Sequence, residues 1–341
     1  SPLRSVHVTI ASMQNSSENS TTQTSTGRKI LALDSQIDCI QPGGGVCMRI
    51  ELAWGVWRRF YLRLFRRGYL KRLAESRRGS ENQCPWDVLD PRDLKFYVNQ
   101  EGYSWDAADD PFTWRDRLPF ARAGLAEMII FSSVLIPLSC LFVTLACRHS
   151  IWWAAAALFP ILLQIEIIWF FRNPRREVAA EHGLVVSPAD GRVDLIEEIE
   201  HDEILDGPAI KIAIFLSVFN VHINRMPIAA IVFGSGYRQG KFLSALKPES
   251  AWENERLELW IEGIEAPHRV MRVRQITGQL ARRIVCHANT GDSYQRGDQF
   301  GMIKLGSRTE LIIPKEEGLE LDVEIGTKVQ AGSSIMARYD D

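Results

Sequence analysis

The longest apolar stretches of the chain lie close together near its middle. Residues 128–147 form a run of 20 without a charged side chain, which is long enough to cross a hydrocarbon core as a helix. A second run occupies residues 151–171 after a short polar link, and Glu166 is its one charged residue. The pattern predicts a membrane helical hairpin over 125–171. Because prolines interrupt both runs, a re-entrant or interfacial hairpin and a buried hairpin of a soluble core are the alternatives.

Short segments with strand-like composition fill the part of the chain that follows the hairpin, residues 172–341. Clusters of Gly, Pro, Asn and Asp separate them, which is typical of a β-rich domain. A spaced Val/Gly repeat over 323–332 is typical of hammerhead, lipoyl-like β-hairpins. The fold class is therefore mainly β, of the α+β kind, with the helical hairpin preceding the β-rich domain. The predicted strands are Gly183–Val186, Arg192–Glu197, Ala209–Val218, Ala230–Gly234, Arg256–Ile261, Arg269–Gln275, Ile284–Ala288, Gly301–Lys304, Thr309–Ile313, Glu320–Glu324 and Ser334–Arg338.

The first 124 residues divide into two stretches of different composition. Residues 1–48 are rich in Ser, Thr, Gln and Asn and show no signal-peptide pattern, so we expect a disordered N-terminal extension. Residues 49–124 are predicted to hold a basic amphipathic helix and then an irregular linker, since residues 49–78 interleave ten Arg or Lys with aromatic side chains. Such a helix suits an anionic membrane surface. A helix packed on its own protein and an RNA-binding arm are the alternatives.

Charge and cysteine content exclude several classes of protein. The 341 residues carry a formal net charge of −2, which gives no reason to expect nucleic-acid binding. The six cysteines are too few for a disulfide scaffold and lack zinc-ligand spacing, so we predict reduced thiols and no metal site. Arginines flank the outer ends of the hairpin on both sides. The positive-inside rule therefore predicts an inner cell membrane protein whose termini and β-rich domain face the cytoplasm.

Three separated motifs contain the parts of an activated nucleophile. Ser307 follows Gly306 between two predicted strands. Asp190 begins an Asp-Gly pair, and His222 precedes a short polar segment. A serine, a histidine and an aspartate can form a relay in which the histidine takes the hydroxyl proton. His287 is a rival candidate for the base.

The motifs, in this order and spacing, resemble those of the phosphatidylserine decarboxylases, a family of pyruvoyl-dependent, self-cleaving membrane enzymes. The resemblance runs from about residue 170 to residue 339 and leaves residues 1–124 outside it. The segments that carry it are Phe171-Arg172-Asn173-Pro174-Arg175, Ser187-Pro188-Ala189-Asp190-Gly191, Phe219–Pro227, Gly240-Lys241-Phe242-Leu243-Ser244-Ala245, Asn254-Glu255-Arg256 and Phe300–Pro314.

The resemblance implies a role for each of the three residues. The family cleaves its own chain between the positions of Gly306 and Ser307, which implies a β-chain ending at Gly306 and an α-chain over Ser307–Asp341. Ser307 would become the covalent pyruvoyl cofactor, His222 would serve cleavage, later protonation or both, and Asp190 would orient the imidazole. The implied activity converts phosphatidylserine, a membrane phospholipid, to phosphatidylethanolamine and CO₂ through a Schiff base on the pyruvoyl group.

One position places the chain within a branch of that family. Some members carry H-x-x-H where this chain has His222 and Arg225, so it resembles the short branch with a single histidine. Arg225 is a candidate substrate-binding residue for a phosphate or carboxylate, with a structural ion pair as the alternative. Lys241 and Glu255 are further candidates for substrate contact. Two other functions fit parts of the sequence: a pyruvoyl decarboxylase for another amine, and a non-catalytic membrane-anchored β-module. The sequence is also compatible with a homo-oligomer.

Overall fold

The computed structural model describes residues 23–24, 26–80, 82, 84–97, 103–106, 108–243, 249–278, 283–304 and 307–340. Its helices are α1 (Val46–Phe65), α2 (Arg67–Ser76), α3 (Leu125–Arg148), α4 (Trp152–Phe170) and α5 (Ser250–Glu253). Its strands are β1 (Leu184–Val186), β2 (Gly191–Asp202), β3 (Gly207–Leu216), β4 (Ile223–Arg225), β5 (Ala230–Arg238), β6 (Arg256–Gly263), β7 (Val270–Thr277), β8 (Arg283–Cys286), β9 (Ser293–Tyr294), β10 (Gln299–Lys304), β11 (Ser307–Pro314), β12 (Leu319–Leu321), β13 (Lys328–Val329) and β14 (Ile335–Tyr339).

A large antiparallel sheet forms the centre of the β-rich domain. Its strand order is β13-β2-β3-β11-β7-β6-β5-β9. Inward side chains alternate along each strand, so that Ile214 of β3, Leu311 of β11 and Val273 of β7 are fully buried in one core. Two three-stranded sheets, β4-β10-β8 and β1-β14-β12, complete the domain. This architecture confirms the predicted mainly β fold.

Each strand predicted from the sequence is found, with its ends shifted by a few residues. Three short strands escaped the pattern, β4, β9 and β13, because two or three residues are too few to show an alternation. One boundary matters for the chemistry. The sequence places Ser307 in a turn before the strand, whereas in the structure Ser307 is the first residue of β11 and is paired on both sides.

The two apolar runs form a pair of packed helices, α3 and α4. They contain two candidate membrane spans, Arg122–Arg148 and Trp152–Phe170, which are long and apolar enough to cross a bilayer. Most of their side chains are exposed on the protein surface, unlike those of a core hairpin. Between the helices, the amide of Gln164 donates a hydrogen bond of 2.9 Å to the hydroxyl of Ser132. Length, apolarity and exposure together favour the membrane interpretation of the hairpin.

The N-terminal extension, predicted to be disordered over 1–48, packs against the β-rich domain in its described part. Ile37 and Ile40 are buried, and the amide of Cys286 donates to the carbonyl of Ile40 at 2.9 Å. The overall polar composition concealed these scattered apolar residues, which the β-rich domain buries. The first 22 residues lie outside the described part of the chain.

The predicted basic helix is observed as α1 and α2, and several of its cations face the protein itself. Arg58 and Arg59 both form ion pairs with Asp93 of the linker. The aromatic side of α1 faces outward instead, where Trp54 and Trp57 are 67% and 70% exposed. The structure thus combines the predicted amphipathic helix with the alternative of ion pairing to its own protein.

Candidate active site

The inner face of the large sheet changes from apolar to polar at one end. Along β11, the inward positions are Ile313 and Leu311 and then Thr309 and Ser307, and all four are buried. The neighbouring strand β7 changes in the same way and ends in Gln275 and Thr277, both fully enclosed. Because the strands are antiparallel and in register, these polar side chains gather at a single end of the core.

Ser307 lies in the middle of this polar row. It is paired with Thr277 of β7 on one side and with Leu216 of β3 on the other. Directly opposed residues have Cβ atoms about 4.5–5.5 Å apart. The Ser307 side chain has no exposed surface, and its Oγ has no hydrogen-bond partner among the described residues. Leu305 and Gly306, which precede it, lie outside the described residues.

A hydrogen-bonded cluster fixes the side chains next to Ser307. The side-chain nitrogen Nδ2 of Asn224, on β4, donates to the Thr309 hydroxyl at 3.0 Å and to the backbone carbonyl of Pro188 at 3.3 Å. The amide of Gln275 donates in turn to the side-chain oxygen of Asn224 at 2.9 Å. The cluster therefore joins the small sheet to the large one beside the candidate nucleophile.

His222 is placed at the same end of the domain by its neighbours in the chain. His222 follows β3, whose last residue, Leu216, lies opposite Ser307. The backbone carbonyl of His222 accepts a hydrogen bond of 3.0 Å from the backbone amide of Ile303. Its ring is fully buried and packs on Phe170, with centroids 4.5 Å apart. Burial lowers the pKa of His222 to about 4, so the imidazole is neutral at pH 7.

The tautomer of His222 follows from its hydrogen bond. Nδ1 lies 3.0 Å from the carbonyl oxygen of Asn220. A carbonyl can only accept, so Nδ1 carries the hydrogen and Nε2 carries the lone pair. His222 therefore has the protonation state that a general base requires.

Asp190 lies in the turn before β2, and its carboxylate is engaged by partners other than His222. Arg176 donates to one oxygen at 2.6 Å, and the amide of Ala331 donates to the other at 2.8 Å. Burial raises the pKa of Asp190, and these two donors oppose that rise. The Asn220 carbonyl holds Nδ1 of the imidazole, and the orienting role that the resemblance implies for Asp190 stays a prediction.

Arg225 and His287, the two secondary candidates, lie in different surroundings. The guanidinium of Arg225 donates to the carbonyl of Gly297 at 2.8 Å. Burial lowers the pKa of His287 to about 4, and the nearby cations Lys95 and Lys304 act in the same direction. His287 thus lies near several cations. Arg225 is hydrogen-bonded to a backbone carbonyl of the protein itself.

Of the two other candidates for substrate contact, Lys241 is exposed and pairs with Glu253 at 2.8 Å. Glu255 is buried beside the polar row. Its backbone carbonyl accepts both the amide and the hydroxyl of Thr277, at 3.0 and 3.2 Å. Its carboxylate accepts a hydrogen bond of 3.3 Å from the Tyr237 hydroxyl, and burial raises its pKa to about 7. Glu255 is therefore a titratable residue whose backbone is hydrogen-bonded to Thr277, the residue paired with Ser307.

Sequence reasoning missed most of this polar row. The residues it did not single out are Asn224, Gln275, Thr277 and Thr309. A signal was present, because polar residues at consecutive inward positions of a strand leave buried donors and acceptors that require partners. Reading that signal needed the strand register, which the sequence alone does not contain. In the part of the chain that the structure describes, no cluster of His, Cys, Asp or Glu is arranged to hold a metal ion.

Comparisons with known proteins match the region that contains this site. A family model described as phosphatidylserine decarboxylase matches residues 163–337. A phosphatidylserine decarboxylase proenzyme of Rhodopirellula baltica is 51% identical over 246 residues, which are 72% of this chain and 99% of that protein. Proenzymes of the same name from Carboxydothermus hydrogenoformans and Syntrophus aciditrophicus are 43% and 41% identical, over 53% and 54% of this chain and 83% and 84% of theirs.

Proposed function

The chain belongs to the phosphatidylserine decarboxylase family, and we propose that it is a proenzyme that cleaves itself before Ser307 and then decarboxylates phosphatidylserine. The observation that carries the proposal is the Ser307 hydroxyl, which is fully buried and lacks a hydrogen-bond partner among the described residues. Leaving such a group unsatisfied costs about 1–3 kcal/mol, and a reactive role explains why the cost is tolerated.

The proposed cleavage begins when Ser307 Oγ attacks the carbonyl carbon of Gly306. The hydroxyl proton passes to Nε2 of His222 and then to the departing nitrogen of Ser307, as the C–N bond breaks and an ester forms. Loss of the Ser307 Cα proton then breaks the Cβ–Oγ bond, which releases Gly306 as a carboxylate and leaves dehydroalanine. Water adds to its imine tautomer and ammonia departs. The products are a β-chain ending at Gly306 and an α-chain, Ser307–Asp341, that begins with a pyruvoyl group.

The enclosed, polar surroundings of residue 307 support a pyruvoyl group at this position. Such a ketone condenses with a substrate amine and accepts the electron pair that remains when CO₂ leaves. Ser307 and Thr277 are fully enclosed in the precursor, which limits the access of bulk water to the reacting atoms. Asn224 and Thr309 hold the adjacent polar groups in fixed positions. His222 is neutral and buried, and once it has gained a proton it can return it to the substrate carbon.

Asp190 and Arg225 are proposed to organise this pocket. Asp190 ties the turn before β2 to Arg176 and to the segment around Ala331. The hydrogen bond from Arg225 to Gly297 supports a structural role for the guanidinium. Substrate contact by Arg225 stays a prediction.

The hairpin suits an enzyme whose substrate stays in a bilayer. Helix α4 ends at Phe170, whose ring packs on His222, so the site lies close to the end of a candidate span. Cations outside both ends of the hairpin favour an orientation with the β-rich domain in the cytoplasm, at the inner membrane. A soluble amine would not need such a location, which favours a phospholipid headgroup as the substrate.

Electrophoresis and CO₂ release test the proposal together. The full chain in phospholipid vesicles should give two fragments on a denaturing gel and release CO₂ from carboxyl-labelled phosphatidylserine. The Ser307→Ala variant should give one band and no CO₂. Two fragments without CO₂ would favour a decarboxylase for another amine. An intact wild-type chain would favour the non-catalytic β-module.

A further inference from the structure

The two helices of the hairpin contact segments next to the reacting groups of the proposed cleavage: α3 pairs with Lys304 at the end of β10, and α4 packs on His222. Four residues form what we call the hairpin base. Glu127 and Met128 lie in α3, Phe170 is the last residue of α4, and Phe171 is the C-cap of α4. They lie where the two helices meet the small sheet β4-β10-β8.

Helix α3 holds the strand that leads to the cleavage site. Glu127, in its first turn, forms an ion pair with Lys304, the last residue of β10. Both side chains are largely buried, and the ammonium of Lys304 also donates to the side-chain oxygen of Gln41 at 3.1 Å. Only two residues separate Lys304 from Ser307. The position of this ammonium therefore restrains the strand end that delivers the scissile bond.

Helix α4 contacts His222, the proposed general base. The ring of Phe170 packs on His222, as described above. The indole of Trp169 and the guanidinium of Arg172 both donate to the carbonyl of Phe219, at 3.2 and 2.9 Å. Phe219 belongs to the loop that runs from β3 to His222. The end of α4 thus clamps both the imidazole and the loop that carries it.

An apolar seam joins these two contacts. Phe170 and Phe171 pack in one cluster with Ile223 of β4, Val285 of β8 and Met302 of β10. Met128 and Ile167 of the hairpin helices lie against the same cluster. Close packing of this kind transmits displacements, because protein interiors have few voids that could absorb them.

We infer that the hairpin base is a positioning device for self-cleavage: Glu127 sets the strand end before Ser307 and Phe170 sets the imidazole of His222. This inference rests on the proposed function. Its consequence is that the chain matures only when the hairpin is seated on the small sheet. A displacement of about 1 Å between reacting groups can reduce a rate about 100-fold, so the loss of one contact should be measurable.

The test is the rate of self-cleavage of the full chain, made by cell-free synthesis in phospholipid vesicles and followed on denaturing gels. Glu127→Gln should slow cleavage by roughly tenfold or more. The charge swap Glu127→Lys with Lys304→Glu should restore most of the rate, because it rebuilds the pair with reversed polarity. Glu51→Gln is the matched control, since Glu51 pairs in the same neighbourhood with Lys95, a residue that does not belong to β10. It should leave the rate nearly unchanged.

A second readout separates positioning from simple loss of stability. Phe170→Ala admits water to His222 and should move the acidic limit of the cleavage rate from about pH 4 towards the ordinary value of 6.5. Thermal unfolding, measured in the Ser307→Ala background, shows that each variant folds. If Glu127→Gln cleaves as fast as wild type, or the folded swap variant stays slow, the inference is overturned. A wild-type chain that never cleaves would overturn the proposed function itself.

Discussion

His222 and Glu255 are both enclosed at the polar end of the sheet, and burial moves their pKa values in opposite directions. The pKa of His222 falls to about 4 and that of Glu255 rises to about 7, because burial disfavours the charged form of each. Both groups therefore favour the neutral form in the folded chain. The proposed base, His222, and the Ser307 hydroxyl are thus both uncharged in their buried surroundings, which avoids the cost of a buried charge in the precursor.

The low pKa of His222 predicts the pH dependence of self-cleavage. The base must be neutral, so the rate should stay constant from pH 8 down to about pH 5 and fall only near pH 4. Cleavage of the wild-type chain, followed on gels after a pH jump, measures this profile. A rate that halves near 6.5, the ordinary value for histidine, would show that His222 is solvated or is not the base.

Glu255 should make the precursor less stable as the pH rises. Its folded pKa of about 7 lies above the ordinary 4.5, so the folded state binds the proton more tightly. That contribution is complete below 4.5 and is lost as the pH rises through about 7. Glu255→Gln, which can still accept from Tyr237, should remove this dependence and be more stable than the parent at pH 8, by on the order of 2 kcal/mol.

The measurement for Glu255 is thermal unfolding in detergent at pH 5 and pH 8. The parent protein and the Glu255→Gln variant both carry Ser307→Ala, so that cleavage does not interfere. Equal pH dependence in the two chains would contradict the burial of a neutral carboxyl.

Single residues with reactive side chains were the easiest part of the site to find in the sequence. Ser307, His222 and Asp190 stand in motifs that resemble those of a known family. The bonds of Asp190 were not predictable, because Arg176 and Ala331 approach it only in the folded chain. Thr277 gave no motif at all, and its place opposite Ser307 is a matter of strand register.

At the scale of elements, prediction succeeded where a pattern was long enough to repeat. The hairpin helices and the long strands show clear runs, and the structure contains them. Strand β4 has only three residues, yet it carries Asn224 into the polar cluster. The extension before α1 was expected to be disordered because its composition is polar, but a few apolar residues such as Ile37 suffice to dock it on an existing core.

Helix α1 should insert its aromatic side into the bilayer interface. Trp54 and Trp57 are exposed on α1, whereas the guanidinium groups of Arg58 and Arg59 are engaged in ion pairs with Asp93. Since those cations are already paired, insertion should depend mainly on apolar contact and little on salt. Brominated acyl chains should therefore quench part of the tryptophan emission of the full chain in vesicles, at low and at high salt alike.

The double variant Trp54→Phe/Trp57→Phe tests whether α1 is the source of that quenching, which should fall clearly. Trp114→Phe is the matched control, because Trp114 is 53% exposed but lies on the linker. Equal quenching in the double variant and its parent would place α1 outside the acyl region.

At the scale of the whole molecule, the candidate site lies where the apolar hairpin meets the β-rich domain. Lys304, at the end of β10 and separated by two residues from the start of β11, pairs with Glu127 of the hairpin base, and His222 packs on Phe170. Under the proposed function, this arrangement would bring the enclosed surroundings of Ser307 close to the headgroup region of a bilayer, where a phospholipid could present its amine. The sequence predicted both parts of the molecule, but their contact surface depends on tertiary packing that no local pattern encodes.

The mass of the small fragment tests the central claim most directly. The account predicts a fragment of residues 307–341 that is lighter by one ammonia than the corresponding peptide and has no free amino group at its first residue. A fragment with a free serine amine at position 307, or a cut at another position, would contradict self-cleavage through the Ser307 hydroxyl.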